Sequence, residues 1–506
     1  MNQLKAGAIL NYCIIFLNSF LGILYTPFLI RMLGQSEFGL YSLVASIISY
    51  LTILDLGLGN AIVRYTAKLR AEGKQKEQFE LFGMFLIMYL AIGVITLFAG
   101  ILLYLNIESF FGNTMTHIEI EHAKIMILIL VFNLAVTFPM SIFGSIIIAY
   151  ERFVFPKIIN IARILLNTLV MIVLLLYGYK AVAMVIVQTI FNLLSLFINY
   201  YYCKHNLKIK VKYAKVKFVV VEEILFYSFW ILLDVVITKV YWSTGQFVLG
   251  AVAGTAAIAV FAVAIQLQNM YMQFSSAISS VFLPKVTQMV SNEKSYKDIS
   301  DLFVKTGRVQ NFVIIFILFS FIIYGRQFVV VWAGKEYAES YFMTLLFFIA
   351  LYIPSIQNLG ITILQARNQM KFRSVLFVAI AIVSLVFQFL LAKLWGGIGC
   401  SIAIAGALFL GQGIILNIYY YRKQHLDILS FWKQIIKMNI PPTMLLFAVL
   451  LLSYFYALDG WLGILIYGLL FSISYIVVTY RFSLNDYEKN LLIKPILNVI
   501  HVKYKG

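Results

Sequence analysis

Charge is what this sequence is short of. Only 12% of its 506 residues are Asp, Glu, Lys or Arg, while 62% are hydrophobic and mean hydropathy is +0.93. A soluble domain carries about twice that charged fraction, and no water-soluble fold could hide so much apolar surface. Cysteine is scarce too. Cys13, Cys203 and Cys400 are scattered, with no close pair and no His partner at metal-ligand spacing, which excludes a disulfide framework and a structural metal. No Gly-rich phosphate loop ending in Lys-Ser or Lys-Thr is present, so no ATP site and no cofactor is expected. Long polar segments are missing as well. The longest polar connections, near 204–222, 284–308 and the tail from Arg481, leave no room for a soluble domain.

What fills the chain is apolar runs. A crossing needs about 20 apolar residues, and only helices or closed barrels satisfy the backbone in hydrocarbon. Unbroken runs of this length mean helices. Fourteen spans are read near 8–30, 38–63, 80–105, 123–149, 155–177, 180–203, 223–249, 256–283, 309–332, 341–365, 374–394, 397–421, 437–458 and 461–480. The first run is longer than a signal-peptide core and no small-residue cleavage pattern follows it, so it reads as a retained span.

Cytoplasmic loops carry the excess of Lys and Arg. With fourteen spans, 31 of the 39 Lys and Arg fall on one side, six on the other, and Arg163 and Lys239 inside spans. This predicts both termini in the cytoplasm and accounts for the formal net charge of +18 without nucleic acid as a partner. A weak repeat sets Leu33-Gly34 through Arg64 against Leu249-Gly250 through Lys285. The predicted organisation is an N-terminal six-helix bundle (1–204), a basic cytoplasmic linker (205–222), a C-terminal six-helix bundle (223–421), an appended helix pair (422–480) and a basic cytoplasmic tail (481–506).

Polar side chains recur at helical spacing on several spans. Gln188, Asn192, Ser195 and Asn199 share a face of span 6; Gln266, Asn269, Gln273, Ser276 and Ser280 share one on span 8; Asn133, Thr137, Ser141 and Ser145 share one on span 4. Such stripes either line a polar cavity or hold helices together. Ionisable residues inside spans are the sharper signal, because each costs at least ~2.5 kcal/mol at the bilayer centre and normally faces a bundle interior. They are Arg163 with Asn160 and Asn167 on its face, Asp234 and Lys239 in span 7, and Asp55 in span 2. Plainer roles are open to each: snorkelling for Arg163, an ion pair for Asp234 and Lys239, a helix end for Asp55. Pro27, Pro139 and Pro354 fall inside spans 1, 4 and 10.

The stretch Pro27-Phe28-Leu29-Ile30-Arg31-Met32-Leu33-Gly34-Gln35-Ser36-Glu37-Phe38-Gly39-Leu40-Tyr41, with Asp55-Leu56-Gly57-Leu58-Gly59-Asn60-Ala61 and Arg64, resembles the opening of bacterial oligosaccharide flippases. These are the O-antigen, capsule and exopolysaccharide repeat-unit exporters of the multidrug/oligosaccharidyl-lipid/polysaccharide exporter superfamily. Val248-Leu249-Gly250 through Val260-Phe261-Ala262-Val263-Ala264, and Leu364-Gln365-Ala366-Arg367-Asn368, fit the same pattern.

The resemblance implies two six-helix bundles around a central cavity, carrying an undecaprenyl-diphosphate oligosaccharide from the cytoplasmic to the outer leaflet of the bacterial inner membrane. Membrane lipids, a polysaccharide polymerase and a chain-length regulator are the implied partners. Arg163 and Lys239 would hold the diphosphate, and Asp55, Asp234, Gln188, Asn192, Gln266, Asn269 and Gln273 would complete the substrate site. The chain departs from the resemblance in how sparse its intramembrane charge is: span 1 has no Arg before its outer end and span 8 no basic residue before Lys285.

Two alternatives remain. A cation-coupled multidrug exporter of the same superfamily needs an acidic site in the first bundle, and spans 1 and 4 to 6 hold no carboxylate at mid-depth. A membrane-embedded polymerase or glycosyltransferase would bring clustered carboxylates, and the longest outer connection offers only Glu108, Glu119 and Glu121 with His117 and His122.

Overall fold

In hydrocarbon every peptide N–H and C=O must find its partner within the segment, and this requirement shapes the whole molecule. The computed structural model describes residues 3–212, 232–233, 235–292, 295–367, 369–455 and 460–492. Among them every element is a helix. The first seven are α1 (Gln3–Leu33), α2 (Gln35–Leu51), α3 (Leu58–Ala71), α4 (Gln75–Phe111), α5 (His117–Ala149), α6 (Val154–Leu176) and α7 (Ala181–His205). Then come α8 (Thr244–Val252), α9 (Gly254–Ser291), α10 (Tyr296–Trp332), α11 (Ser340–Ile356), α12 (Asn358–Ala366), α13 (Lys371–Leu408), α14 (Leu416–Arg422), α15 (Ile428–Phe455), α16 (Gly460–Phe482) and α17 (Asp486–Leu492).

Among the described residues, 11 helices are long and apolar enough to cross a membrane, or 12 if the bent pair α11–α12 is one span. The stretch Lys371–Arg422, at 52 residues, is about twice one crossing. It breaks at Trp395 and Gly396, whose φ of 54° and ψ of −131° suit only glycine, and so accommodates both spans read near 374–394 and 397–421. The first third of the span read near 223–249, through residue 231, lies outside the described residues, as do residue 234, the linker beyond residue 212 and the tail beyond residue 492. The chain is a multi-pass α-helical membrane protein.

Two of the spans are shaped by breaks. The span read as one run over 38–63 is α2, a 3₁₀ turn at Thr52–Asp55, and α3, because Leu56 (φ 51°) and Gly57 (φ 70°) turn left-handed. Pro27 and Pro139 sit inside continuous helices, whereas Pro354 precedes a 44° bend between α11 and α12.

By its internal contacts the chain divides into two compact units, Met1–Ala262 with Gln388–Cys400, and Val263–Phe387 with Ser401–Gly506. The core of the first is packed by Leu58 and Ile62 of α3, Phe82, Phe85 and Tyr89 of α4, and Phe138, Ile142 and Ile146 of α5. Cys203 belongs to that core, its thiol donating to the Phe143 carbonyl at 3.3 Å. In the second unit the buried Arg308 guanidinium of α10 grips Glu488 of α17, with Nη2 2.9 Å from Oε2, and also donates to the Ser483 carbonyl at 3.1 Å.

The carboxylates of the connection before α5 serve this fold. Thr116 and Glu119 form a capping box, and Glu119 also accepts from Ser36 and, at 2.8 Å, from Thr255. Glu108 pairs with Lys124 at 3.1 Å and Glu121 lies 3.7 Å from His117. Close by, α2 crosses the start of α9 so tightly that a Cβ on Gly39 would lie 1.9 Å from the Thr255 carbonyl oxygen. Gly39→Ala should therefore destabilise the purified protein by ~2 kcal/mol, as overpacking against backbone does. Gly406→Ala, with nothing within 4 Å, should leave its thermal melt unchanged or slightly raised.

Candidate polar site in the membrane-spanning helices

A guanidinium in a span must spend its five N–H donors on protein or water. Arg163 of α6 does so half-buried, with Nη1 donating to Asn192 Oδ1 and Nη2 to Asn160 Oδ1, both at 3.0 Å. Asn160 is one turn before it on α6, and Asn192 comes from α7. Asn192 in turn donates through Nδ2 to Asn133 Oδ1 and Thr137 Oγ1 of α5, both at 2.8 Å. Three helices thus meet through one amide. Every acceptor on Arg163 is a neutral amide oxygen, and among the described residues no carboxylate pairs with it. Its charge is solvated but not cancelled. Further along the same helices, Asn167 Oδ1 and Asn199 Oδ1 are buried without a hydrogen-bond partner. A cation with spare donors, flanked by amides, is equipped to hold an anion and hydroxyl groups.

Among the described expected site residues of the first unit, Asn192 is the one hydrogen-bonded to Arg163. Gln188, one turn before Asn192, is exposed and accepts from Tyr41 at 3.1 Å. Lys239 is half-buried against α2, where Tyr50 donates to its backbone carbonyl at 3.4 Å and Ser49 meets Ser243 at 3.0 Å. Asp234 lies outside the described residues. Asp55 sits at the break in the second span, where its carboxylate accepts from Tyr89 at 3.0 Å.

In the second unit, Gln266 and Gln273 of α9 are half-buried and Asn269 is exposed. Among the described residues of this unit, the polar residues α9 does bury are others, Gln268, Ser275 and Ser279. Gln310 donates to Ser279 at 2.6 Å, Asn358 to Ser275 at 3.2 Å, and Ser275 to the Ser355 carbonyl at 2.7 Å, so this stripe fastens α9 to α10 and to the α11–α12 bend. Two further networks there are satisfied within the protein. Asn311 donates to Asn439 at 2.7 Å, Asn439 to Tyr352 at 2.7 Å, and Tyr352 back to Asn311 at 2.5 Å. Gln357 and Asn417 exchange amide bonds at 2.8 and 3.1 Å.

Residues 133 and 137 were legible as stripe members but not as partners of Asn192, whereas Asn160 was legible on the face of Arg163. Tyr89 and Tyr41 left no signal in the sequence, since a tyrosine in an apolar span reads as core. Asn192→Leu should destabilise the purified protein by ~2 kcal/mol, because Asn133, Thr137 and Arg163 each lose a partner. Gln188→Leu, which breaks one exposed bond, should shift the melt by less than half as much.

A family model described as polysaccharide biosynthesis protein matches residues 4–290. The chain is 20% identical over 397 residues to a protein of Shigella flexneri named as an O-antigen transporter, covering 74% of this chain and 88% of that one. Its fold is similar to that of the lipid II flippase MurJ in an inward closed conformation, with a TM-score of 0.71 at 17% identity over 94% of this chain and 98% of that one. It is also similar to an inward-facing multidrug resistance MATE transporter of the MOP superfamily, with a TM-score of 0.55 at 14% identity over 82% of this chain and 99% of that one. At these identities the structures establish a shared fold. Because the family match spans more than half of the sequence, the chain belongs to the polysaccharide biosynthesis protein family.

Proposed function

We propose that this protein is a flippase that moves an undecaprenyl-diphosphate-linked oligosaccharide repeat unit from the cytoplasmic to the outer leaflet by alternating access, for cell-surface polysaccharide synthesis. The observation that carries the reading is the uncancelled Arg163 charge inside the spans, solvated by Asn160 and Asn192. A diphosphate and several sugars cannot cross hydrocarbon bare, so a path must replace their hydration. Arg163 would take the diphosphate, and the amides at positions 167, 188 and 199 would meet sugar hydroxyls. Lys239, seated against a different helix, would be a second cation on the path rather than part of one clamp. Asp55 is assigned to the helix break, not to substrate.

The bacterial inner membrane belongs to this reading, the Lys and Arg bias supports both termini in the cytoplasm, and in that orientation an outward-moving anion gains about 2.3 kcal/mol per charge per 100 mV. The work is transport rather than catalysis. The two-bundle organisation, with an appended pair of helices, and the polymerase and chain-length regulator as downstream partners belong to the same reading. The Shigella relative's name and the fold shared with a lipid II flippase support it.

Deleting the protein in its host should leave the lipid-linked oligosaccharide accumulating on the cytoplasmic leaflet, measured by leaflet-selective enzymatic labelling. The wild-type gene should restore the outer pool. Arg163→Ala should restore it at least tenfold less well, the magnitude expected for charge-assisted hydrogen bonds, with Lys239→Ala impaired to a smaller degree. An unchanged leaflet distribution accompanied by altered sensitivity to cationic drugs would replace this reading with that of a multidrug exporter.

A further inference from the structure

Beyond α7 the sequence alternates strictly: Leu207, Lys208, Ile209, Lys210, Val211, Lys212. The structure shows what the alternation is for. The segment leaves α7 through hydrogen bonds from Leu207 N to the Tyr202 carbonyl at 3.2 Å and from Ile209 N to the Cys203 carbonyl at 3.0 Å, and it reaches α4 through Lys212 N and the Phe79 carbonyl at 3.1 Å. Ile209 is buried in the apolar core of α3, α4 and α5, with Leu207 and Val211 packed against the same core. Lys208, Lys210 and Lys212 are exposed, and so is Lys204 on the last turn of α7.

Positive charge near span ends is expected from topology alone, but that rule needs only charge and would be met by a loose loop. Here the apolar half of the alternation is taken up by the core, which fixes three lysines in a row. Lys208 turns left-handed (φ 51°) as the chain leaves α7, and the row lies where two membrane-spanning helices, α7 and α4, have their ends. Among the described residues none of the three enters an ion pair. Of the acidic groups on the adjoining turn and helix, Glu72 pairs with Lys74 at 2.8 Å, and Glu77 acts electrostatically on the same Lys74.

We propose that this docked ribbon, residues 207–212, is a binding surface for the phosphate headgroups of anionic lipids in the leaflet it faces. It is a lipid site separate from the Arg163 cluster and independent of what that cluster carries. Lipids drawn to it would hold the ends of α4 and α7 at the interface.

The test uses the full-length protein purified in detergent and titrated with phosphatidylglycerol or phosphatidylcholine, with bound lipid counted by native mass spectrometry. The wild type should bind phosphatidylglycerol in preference. Lys208→Gln/Lys210→Gln/Lys212→Gln, altering only exposed side chains, should weaken that binding about tenfold or more while leaving phosphatidylcholine unchanged. Ile209→Asn/Val211→Asn keeps every lysine but undocks the ribbon, and should weaken it likewise. Lys433→Gln/Lys437→Gln, exposed on α15, should not. Unchanged binding in the triple lysine variant overturns the proposal. So does loss in that variant with full retention in the undocked one, because the lysines would then act as mobile charge rather than as a built surface. Equal loss in the α15 control overturns it too, as a response to total charge.

Discussion

Hydrocarbon offers a polar group no hydrogen bond, so every amide, hydroxyl and charge in a span must be answered by another helix or by water that the protein admits. This constraint sorts the polar residues of the chain into two kinds. In the second unit the Asn311–Tyr352–Asn439 ring answers itself, and the Gln357–Asn417 pair is completed by Trp432 and nearby backbone carbonyls. They join helices and have little left to offer a ligand. In the first unit Arg163 is answered only in its geometry: Asn160 and Asn192 accept its hydrogen bonds, but neutral oxygens leave the positive charge in place. A closed network is mortar. An open one with charge remaining is a site, and a chain under selection for stability alone would have no reason to keep it.

The same constraint explains where helices break. Left-handed Leu56 and Gly57 interrupt the second span, and the Asp55 carboxylate at the break is tied to Tyr89. Pro354 frees backbone before the α11–α12 bend, where Ser275 donates to the Ser355 carbonyl. Broken spans are tolerated when side chains re-satisfy the backbone, and such breaks permit helices to bend during transport.

The helical, multi-pass architecture was readable because hydropathy over some twenty residues is a strong signal. Much of the detail that decides function was not. The break at Gly57 lies in a run whose average hydropathy hardly falls, so 38–63 reads as one helix. Asn160 is found from spacing because it shares a helix with Arg163. Asn192 is not, because which residue of another helix arrives at Arg163 is a matter of packing. On α9 two polar stripes lie side by side, and periodicity cannot tell that Gln268, Ser275 and Ser279 are buried while Asn269 is exposed. The carboxylates before α5 looked like a solvated loop, yet Glu119 ties three helix starts together.

The central claim is that Arg163 holds an anion within the membrane-spanning helices. Its most direct measurement is the affinity of the purified wild-type and Arg163→Gln proteins for undecaprenyl diphosphate and for undecaprenol, which share a tail and differ in the headgroup. The account predicts that the wild type binds the diphosphate at least tenfold more tightly than the alcohol, and that Arg163→Gln abolishes this difference while binding the alcohol as before. Equal discrimination by the two proteins would contradict it.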